Sequence, residues 1–295
     1  MTTRITIFML VSLFVLATGI SLHAQDEVKI PAASPLQSIE QEFGQNKISI
    51  QYSRPGKKGR KIFGELVPYG KIWRTGANAS SKIKFGGDVI VAGQSVPAGE
   101  YALYTVPGKD MWEIIFHKNT SYWGDGGPSY KKEEDQLRFK VKPETLGKEV
   151  ETFTIAFEHL SSTAVDVALM WDKTRVIFTV KADLAAIFAN IEKGLAAAPE
   201  DKRPYYSAAQ FYLDNGGDLN KALQWADSSE KQYPDNYWSL QLRARILMRQ
   251  GKFKEAIESL NQSNEIAKKV LKDDPDAQYY MDTNNKLLAE ARKKS

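Results

Sequence analysis

At Ala182 the hydrophobic period of this chain changes, and that change constrains the fold more than any other feature of the sequence. From Lys47 to Ala182, apolar residues alternate with polar ones or form short runs rich in Val, Ile, Phe and Tyr. Beyond it they recur every three or four positions among Ala, Leu, Lys and Glu. A period of two puts successive side chains on opposite faces of a strand, whereas a period near 3.6 stripes one face of a helix. The sequence therefore predicts a mainly-β N-terminal domain over residues 25–181, a sandwich or jelly-roll-like barrel. An all-α helical-repeat domain over 182–295 follows.

In the first half, Ile48, Ile50 and Tyr52 alternate with Ser49, Gln51 and Ser53. Further strand-like runs lie at Lys82–Phe85, Val89–Val91, Tyr101–Val106, Trp112–His117, Leu137–Val141, Phe153–Glu158, Val165–Trp171 and Arg175–Val180. Turn formers separate them, among them Gly86-Gly87, Ala92-Gly93, Pro97-Ala98-Gly99 and Pro107-Gly108. Breaks spaced about every 8–12 residues fit antiparallel sheets. Trp171 to Thr174, between two apolar runs, predicts a closing hairpin. In the second half, helices are expected at Leu184–Ala198, Pro204–Asn215, Leu219–Gln232, Asn236–Arg249, Phe253–Asp273 and Ala277–Lys293, divided by Gly and Pro.

Within the helical half, Gly217–Leu223 realigns on Gly251–Ile257 with an offset of 34 residues. This resembles the tetratricopeptide repeat, a pair of antiparallel helices of that period stacked into a solenoid. Ala222 and Ala256 fit the small position where such helices approach closely, and Pro234 fits the end of a second helix. The resemblance implies about three helix pairs and a docking surface for a protein partner. A plain helical bundle is the alternative.

The extreme N-terminus reads differently. Arg4, the apolar run Ile5–Ile20 and a cleavage site ending at Ala24 form a signal-peptide pattern over residues 1–24. The run is shorter than the ~20 residues a membrane span needs. No transmembrane segment is expected after its removal, and the mature protein is expected to be periplasmic or secreted. The chain has no cysteine, which excludes a disulfide framework. From Asp183 onward 17 basic residues balance 17 acidic ones, so the positive excess lies in the first half. Lys47–Lys84 alone holds ten Lys/Arg against Glu65. So short a basic strip suits a small anion and not a nucleic acid.

That strip includes Tyr52–Asn78, where three arginines, four lysines, four large aromatics and five glycines share 27 residues. Arg54, Lys58, Arg60, Tyr69, Trp73, Arg74 and Asn78 are the candidate ligand-binding residues. Guanidinium forks grip carboxylate, sulfate or phosphate, and aromatic rings stack on sugars or arginines. Trp123, in a second glycine-rich aromatic loop over Ser121–Tyr130, is a candidate opposite wall. His117, at a strand end, is the candidate general base, with Asp125 or Asp135 as its orienting carboxylate. The competing reading makes the arginines ties to loop carbonyls and His117 a satisfied structural histidine. Neither His117 nor His159 has a metal-ligand partner at suitable spacing, so no metal or cofactor is expected.

A long series of motifs carries a wider resemblance: Ser34-Pro35, Tyr52-Ser-Arg-Pro55, Lys58–Gly64, Leu66–Gly70, Trp73–Asn78, Pro97–Tyr104, Trp112–Phe116 and Trp123-Gly124. Over roughly residues 30–181 the chain is similar to the bacterial domain of unknown function DUF2911. The resemblance implies export and a frequent helical-repeat partner, and names no activity. Three functions stay open. One is a non-enzymatic binding module for a small anionic or glycan-like ligand. Another is an enzyme using His117 with Arg60 and Arg74 on an anionic or carbonyl substrate. The last is a structural, protein-docking scaffold.

Overall fold

The alternation seen in the sequence builds two antiparallel sheets. The computed structural model describes residues 30–295, and the expected signal peptide lies outside them. The strands are β1 (Leu36–Phe43), β2 (Asn46–Ser53), β3 (Ala77–Phe85), β4 (Val89–Val91), β5 (Gln94–Val96), β6 (Gly99–Val106), β7 (Trp112–His117), β8 (Asp135–Val141), β9 (Glu144–Glu158) and β10 (Ala164–Ala182). One sheet has six strands in the order β1-β2-β3-β6-β7-β8. The other has four, in the order β5-β4-β10-β9.

The core forms between the inward rows. Ile48, Ile50 and Tyr52 of β2, Ile83 and Phe85 of β3, and Ile114 and Phe116 of β7 join Val165, Val167, Leu169, Val176 and Phe178 of β10 in one buried cluster. Removing each such side chain from water contributes about 1.5–3 kcal/mol, which holds the sheets together without disulfides. Between β1 and β2 the turn at Gly44 has φ 59°, and a Cβ there would sit 2.7 Å from that of Ala182. Glycine is needed for both reasons.

One expectation is corrected. The hairpin predicted at Trp171–Thr174 is absent, because β10 runs unbroken from Ala164 to Ala182. Its pairing with β9 shifts register on either side of Asp172, whose φ is 53°. A bulge of this kind bends and twists a strand without ending it. β9, 15 residues long, supplies partners to both halves of β10, and Lys57 Nζ lies 2.8 Å from the Asp172 carboxylate. β1 and β5 were not expected from the pattern; their polar-rich sequences LQSIEQEF and QSV, buried only at Phe43 and Val96, carry little apolar signal.

Six helices follow: α1 (Leu184–Ala197), α2 (Tyr205–Asn215), α3 (Leu219–Gln232), α4 (Tyr237–Arg249), α5 (Phe253–Val270) and α6 (Asp276–Lys294). Asp183, Asp218 and Asn236 cap α1, α3 and α4 by accepting from free backbone N–H groups. Gly216 ends α2 at φ 75°. Each helix packs on its sequence neighbour, and α4 also touches α2 and α6. Ala222 and Ala256 are fully buried at the close approaches. Ile187 of α1 inserts into the β core, and Asn190 Nδ2 donates to Gln45 at 3.0 Å. Among the described residues no helix is long and apolar enough to cross a membrane.

Candidate functional site

Between β2 and β3 the chain makes its basic, aromatic excursion, and most of that excursion closes the end of the sandwich. Arg54 Nε donates to the Phe153 carbonyl at 3.1 Å and its Nη2 to Thr154 Oγ1 at 2.8 Å. Arg60 donates to the carbonyls of Lys57 at 3.0 Å and Gly56 at 2.6 Å. The Lys58 backbone N–H donates to Glu151, and its side chain stays exposed, as Tyr69 does. Trp73 is a core residue: its ring stacks on Trp171 at 5.9 Å and meets Phe63, Trp112 and Phe153 edge-on. Its Nε1–H donates to the Gly76 carbonyl at 3.1 Å. These guanidinium bonds tie the loop to its own carbonyls and to β9.

Arg74 and Asn78 behave differently. They flank a backbone held in unusual conformations: φ is 55° at Thr75, 150° at Gly76 and 60° at Asn78. Thr75 is β-branched and fully buried, so its left-handed conformation is strained. Ser81 Oγ donates to its carbonyl at 2.6 Å, and its own hydroxyl bonds Thr105 Oγ1 at 3.2 Å. Asn78 Nδ2 donates to Ser53 Oγ and the Ser34 carbonyl. Strain of this size persists where surrounding bonds over-determine it, and such positions concentrate at functional sites. Here it delivers Arg74 to the loop that roofs the outer face of the six-stranded sheet. Arg74 Nη1 donates to the Asn78 carbonyl at 3.2 Å and lies 3.0 Å from where a Cβ on Gly124 would stand.

Register defines that outer face. Lys82 on β3 pairs with Ala102 on β6, which pairs with His117 on β7. Tyr104 pairs with Ile115, and Ile115 with Arg138 on β8. Residues at these positions, with Ser80, point away from the core. The segment between β7 and β8 covers them: Tyr130 packs on His117 at 4.7 Å and on Tyr104 at 5.6 Å, and Tyr122 on His117 at 5.5 Å. Trp123 stands at the rim, 73% exposed.

Beneath this roof the Tyr104 side chain is fully buried, and its hydroxyl makes no well-formed hydrogen bond. Burial raises the Tyr104 pKa; Ser80 beside it works in the opposite direction, and Asp125 adds to the rise. Lys82 Nζ donates to Ser80 Oγ at 2.6 Å and to the Thr120 carbonyl at 2.5 Å. Burial pulls the Lys82 pKa below the usual lysine range, and the charge of Glu100 offsets part of that. Among the described residues, no ion pair includes Lys82 or Arg74. Arg138 by contrast is saturated by Glu113, Asp135 and the Tyr130 hydroxyl.

His117 occupies the floor with both ring nitrogens engaged. Nδ1 lies 3.1 Å from both the Asn119 N–H and the Asn119 carbonyl, and Nε2 lies 3.0 Å from the Lys131 carbonyl and 3.8 Å from the Glu134 carboxylate. The orienting carboxylates expected of Asp125 and Asp135 are not in place. Asp125 accepts from the Gly127 N–H, and Asp135 is held by Tyr130 and Arg138. The two expected loops do meet at Arg74 and Gly124. Trp73 faces the core instead, and Arg60 is bound to its own loop. Ser80, Lys82 and Tyr104 escaped the sequence reading because each looks like an ordinary strand residue until register places them together. Among the described residues no cluster of His, Asp or Glu is arranged to hold a metal ion.

Residues 34–180 match the model of the family described as "Protein of unknown function (DUF2911)", which supports that family for the β-domain. No curated protein matches the chain.

Proposed function

We propose that the DUF2911 domain of this chain is a binding module for a small anionic ligand, held on the outer face of the six-stranded sheet. The observation that carries this reading is the Tyr104 hydroxyl, fully buried with no well-formed hydrogen bond and only the Ser80 hydroxyl beside it. An unpaired buried polar group costs about 1–3 kcal/mol, and a site that receives an acceptor oxygen accounts for it. Lys82 and Arg74, both lacking carboxylate partners, flank the same roofing loop at Thr120 and Gly124. Ammonium and guanidinium groups suit carboxylate, sulfate or phosphate. The exposed Trp123 ring adds a surface on which a sugar can stack. His117, with both nitrogens bonded to backbone, favours binding over general-base catalysis at that residue.

Calorimetric titration with sulfate, phosphate and glucuronate tests the proposal. Lys82→Met and Arg74→Ala should each weaken the anion bound by the native protein about tenfold or more, as loss of a charge-assisted contact does. Arg60→Ala should leave affinity unchanged. Equal losses in all three variants, or none, would refute the site.

For the helical half we propose tetratricopeptide-like stacking and a protein-docking role. Its support is the offset of 34 between Leu219 and Phe253, the first residues of α3 and α5, with Ala222 and Ala256 buried at matching positions. We also propose export to the periplasm or medium, supported by the signal-peptide pattern of residues 1–24. N-terminal sequencing should find the mature chain starting near Gln25, and an intact Met1 on exported protein would contradict it.

A further inference from the structure

We propose that Ser80 is a nucleophile, with Lys82 as its base, acting on esters that carry an anionic group; this rests on the anion site proposed above. Ser80 and Lys82 lie two residues apart on β3 and so share its outer face. Their side chains are 2.6 Å apart. The other Lys82 contact is to the Thr120 carbonyl, an obligate acceptor, and requires one N–H only. A neutral amine making that bond keeps its lone pair for the Ser80 hydroxyl. Burial lowers the Lys82 pKa, against the charge of Glu100, and so raises the share of the neutral amine that a general base requires.

A Lys82 ammonium that merely ties down the loop would explain both of its own contacts. It would not explain Tyr104. The buried Tyr104 hydroxyl, which makes no well-formed hydrogen bond, lies beside Ser80, where a donor to a developing oxyanion is needed. Nucleophile, base and oxyanion donor are thus three adjacent groups on two paired strands, β3 and β6.

In the reaction, the Ser80 hydroxyl proton passes to Lys82 Nζ as Oγ bonds to the ester carbonyl carbon. The former carbonyl oxygen, now an oxyanion, accepts from Tyr104. On collapse the bond to the alkoxy oxygen breaks, and the alcohol leaves with the proton from Lys82. Ser80 then carries the acyl group until water, giving a proton to Lys82, attacks it; as the bond to Oγ breaks that proton passes from Lys82 to Ser80 Oγ, and the carboxylic acid leaves. Arg74 holds the anionic end of the substrate.

The full chain, incubated with an alkyl fluorophosphonate, provides the test. Ser80 Oγ would bond to phosphorus as fluoride leaves, and the proton would pass to Lys82. Intact mass and peptide mapping should find one label, on Ser80. Ser80→Ala should abolish it. Lys82→Arg keeps a cation but supplies no base, and should slow labelling about a hundredfold or more. Tyr104→Phe should slow it about tenfold or more. No label, a label elsewhere, or unchanged labelling in Lys82→Arg would overturn the inference. If Lys82→Arg fails to fold by near-ultraviolet circular dichroism, the labelled position in the native chain decides alone. Sulfate titration separates the two readings: sulfate binding without a Ser80 label ends this inference and leaves the anion site standing. A Ser80 label without anion binding confirms the nucleophile and refutes the anion site.

Discussion

At the scale of single residues, the decisive distinction is between polar groups the fold satisfies and those it does not. Arg54 and Arg60 belong to the first kind, and Tyr104 to the second. Tyr104→Phe removes a buried hydroxyl that makes no well-formed hydrogen bond, so the ligand-free protein should become more stable by about 1–3 kcal/mol. A higher urea midpoint with an unchanged slope would show this, and a lower midpoint would mean the hydroxyl has a partner after all. Lys82 gives a pH-dependent counterpart. Its pKa in the folded protein is lowered, so the unfolded chain holds its proton more tightly. Its burial therefore costs stability at neutral and acid pH, and the cost fades as pH rises from the lowered value toward 10.5. Lys82→Met should accordingly be more stable than the native protein at pH 7, with the gap narrowing by pH 10. A gap that widens would reverse the assignment.

The elements show which parts of the fold the sequence reveals. Helix positions were legible because capping residues and punctuating glycines act locally: Asp183, Asp218 and Gly216 fix ends that neighbouring residues already announce. Central strands were legible through their apolar alternation. The unbroken course of β10 was not, because Asp172 and Lys173 look like a turn while the determining partners, β9 and Lys57, are distant in sequence. The candidate site was half legible for the same reason. Charge and glycine marked Arg74 and Trp123 directly, whereas Ser80, Lys82 and Tyr104 become a group only through strand register. Trp73 misled because a tryptophan beside arginine in a glycine-rich loop looks exposed, yet its ring packs against four aromatic side chains. For the helices, Ala256→Leu should destabilise by about 1–3 kcal/mol, since the site is fully buried and has no room for three more carbons. The same change at exposed Lys254 should be nearly neutral. Similar midpoints for both variants would argue against close helix approach at Ala256.

Over the whole molecule, the β and α halves meet at a junction that belongs to both. β10 ends at Ala182, Asp183 caps α1, and Ile187 packs into the β core within one further turn. Ile187→Ala should thus cost about 2–5 kcal/mol and lower the unfolding midpoint of the β-domain as well as that of the helices. Tryptophan fluorescence of the core set by Trp73, Trp112 and Trp171, read with Trp225 and Trp238 of the helices replaced by Phe, reports the former. An unchanged fluorescence transition would mean the junction contributes nothing to the sandwich.

The central claim is that the anion site lies on the outer face of the six-stranded sheet, and that the arginine-rich corner is structural. Crystals grown with selenate address it directly through the anomalous difference map. The account predicts a selenium peak placed so that the selenate oxygens fall within hydrogen-bond distance of Lys82 Nζ and the Tyr104 hydroxyl, facing Arg74. A peak beside Arg54 or Arg60 instead, or none anywhere on the outer face, would contradict it.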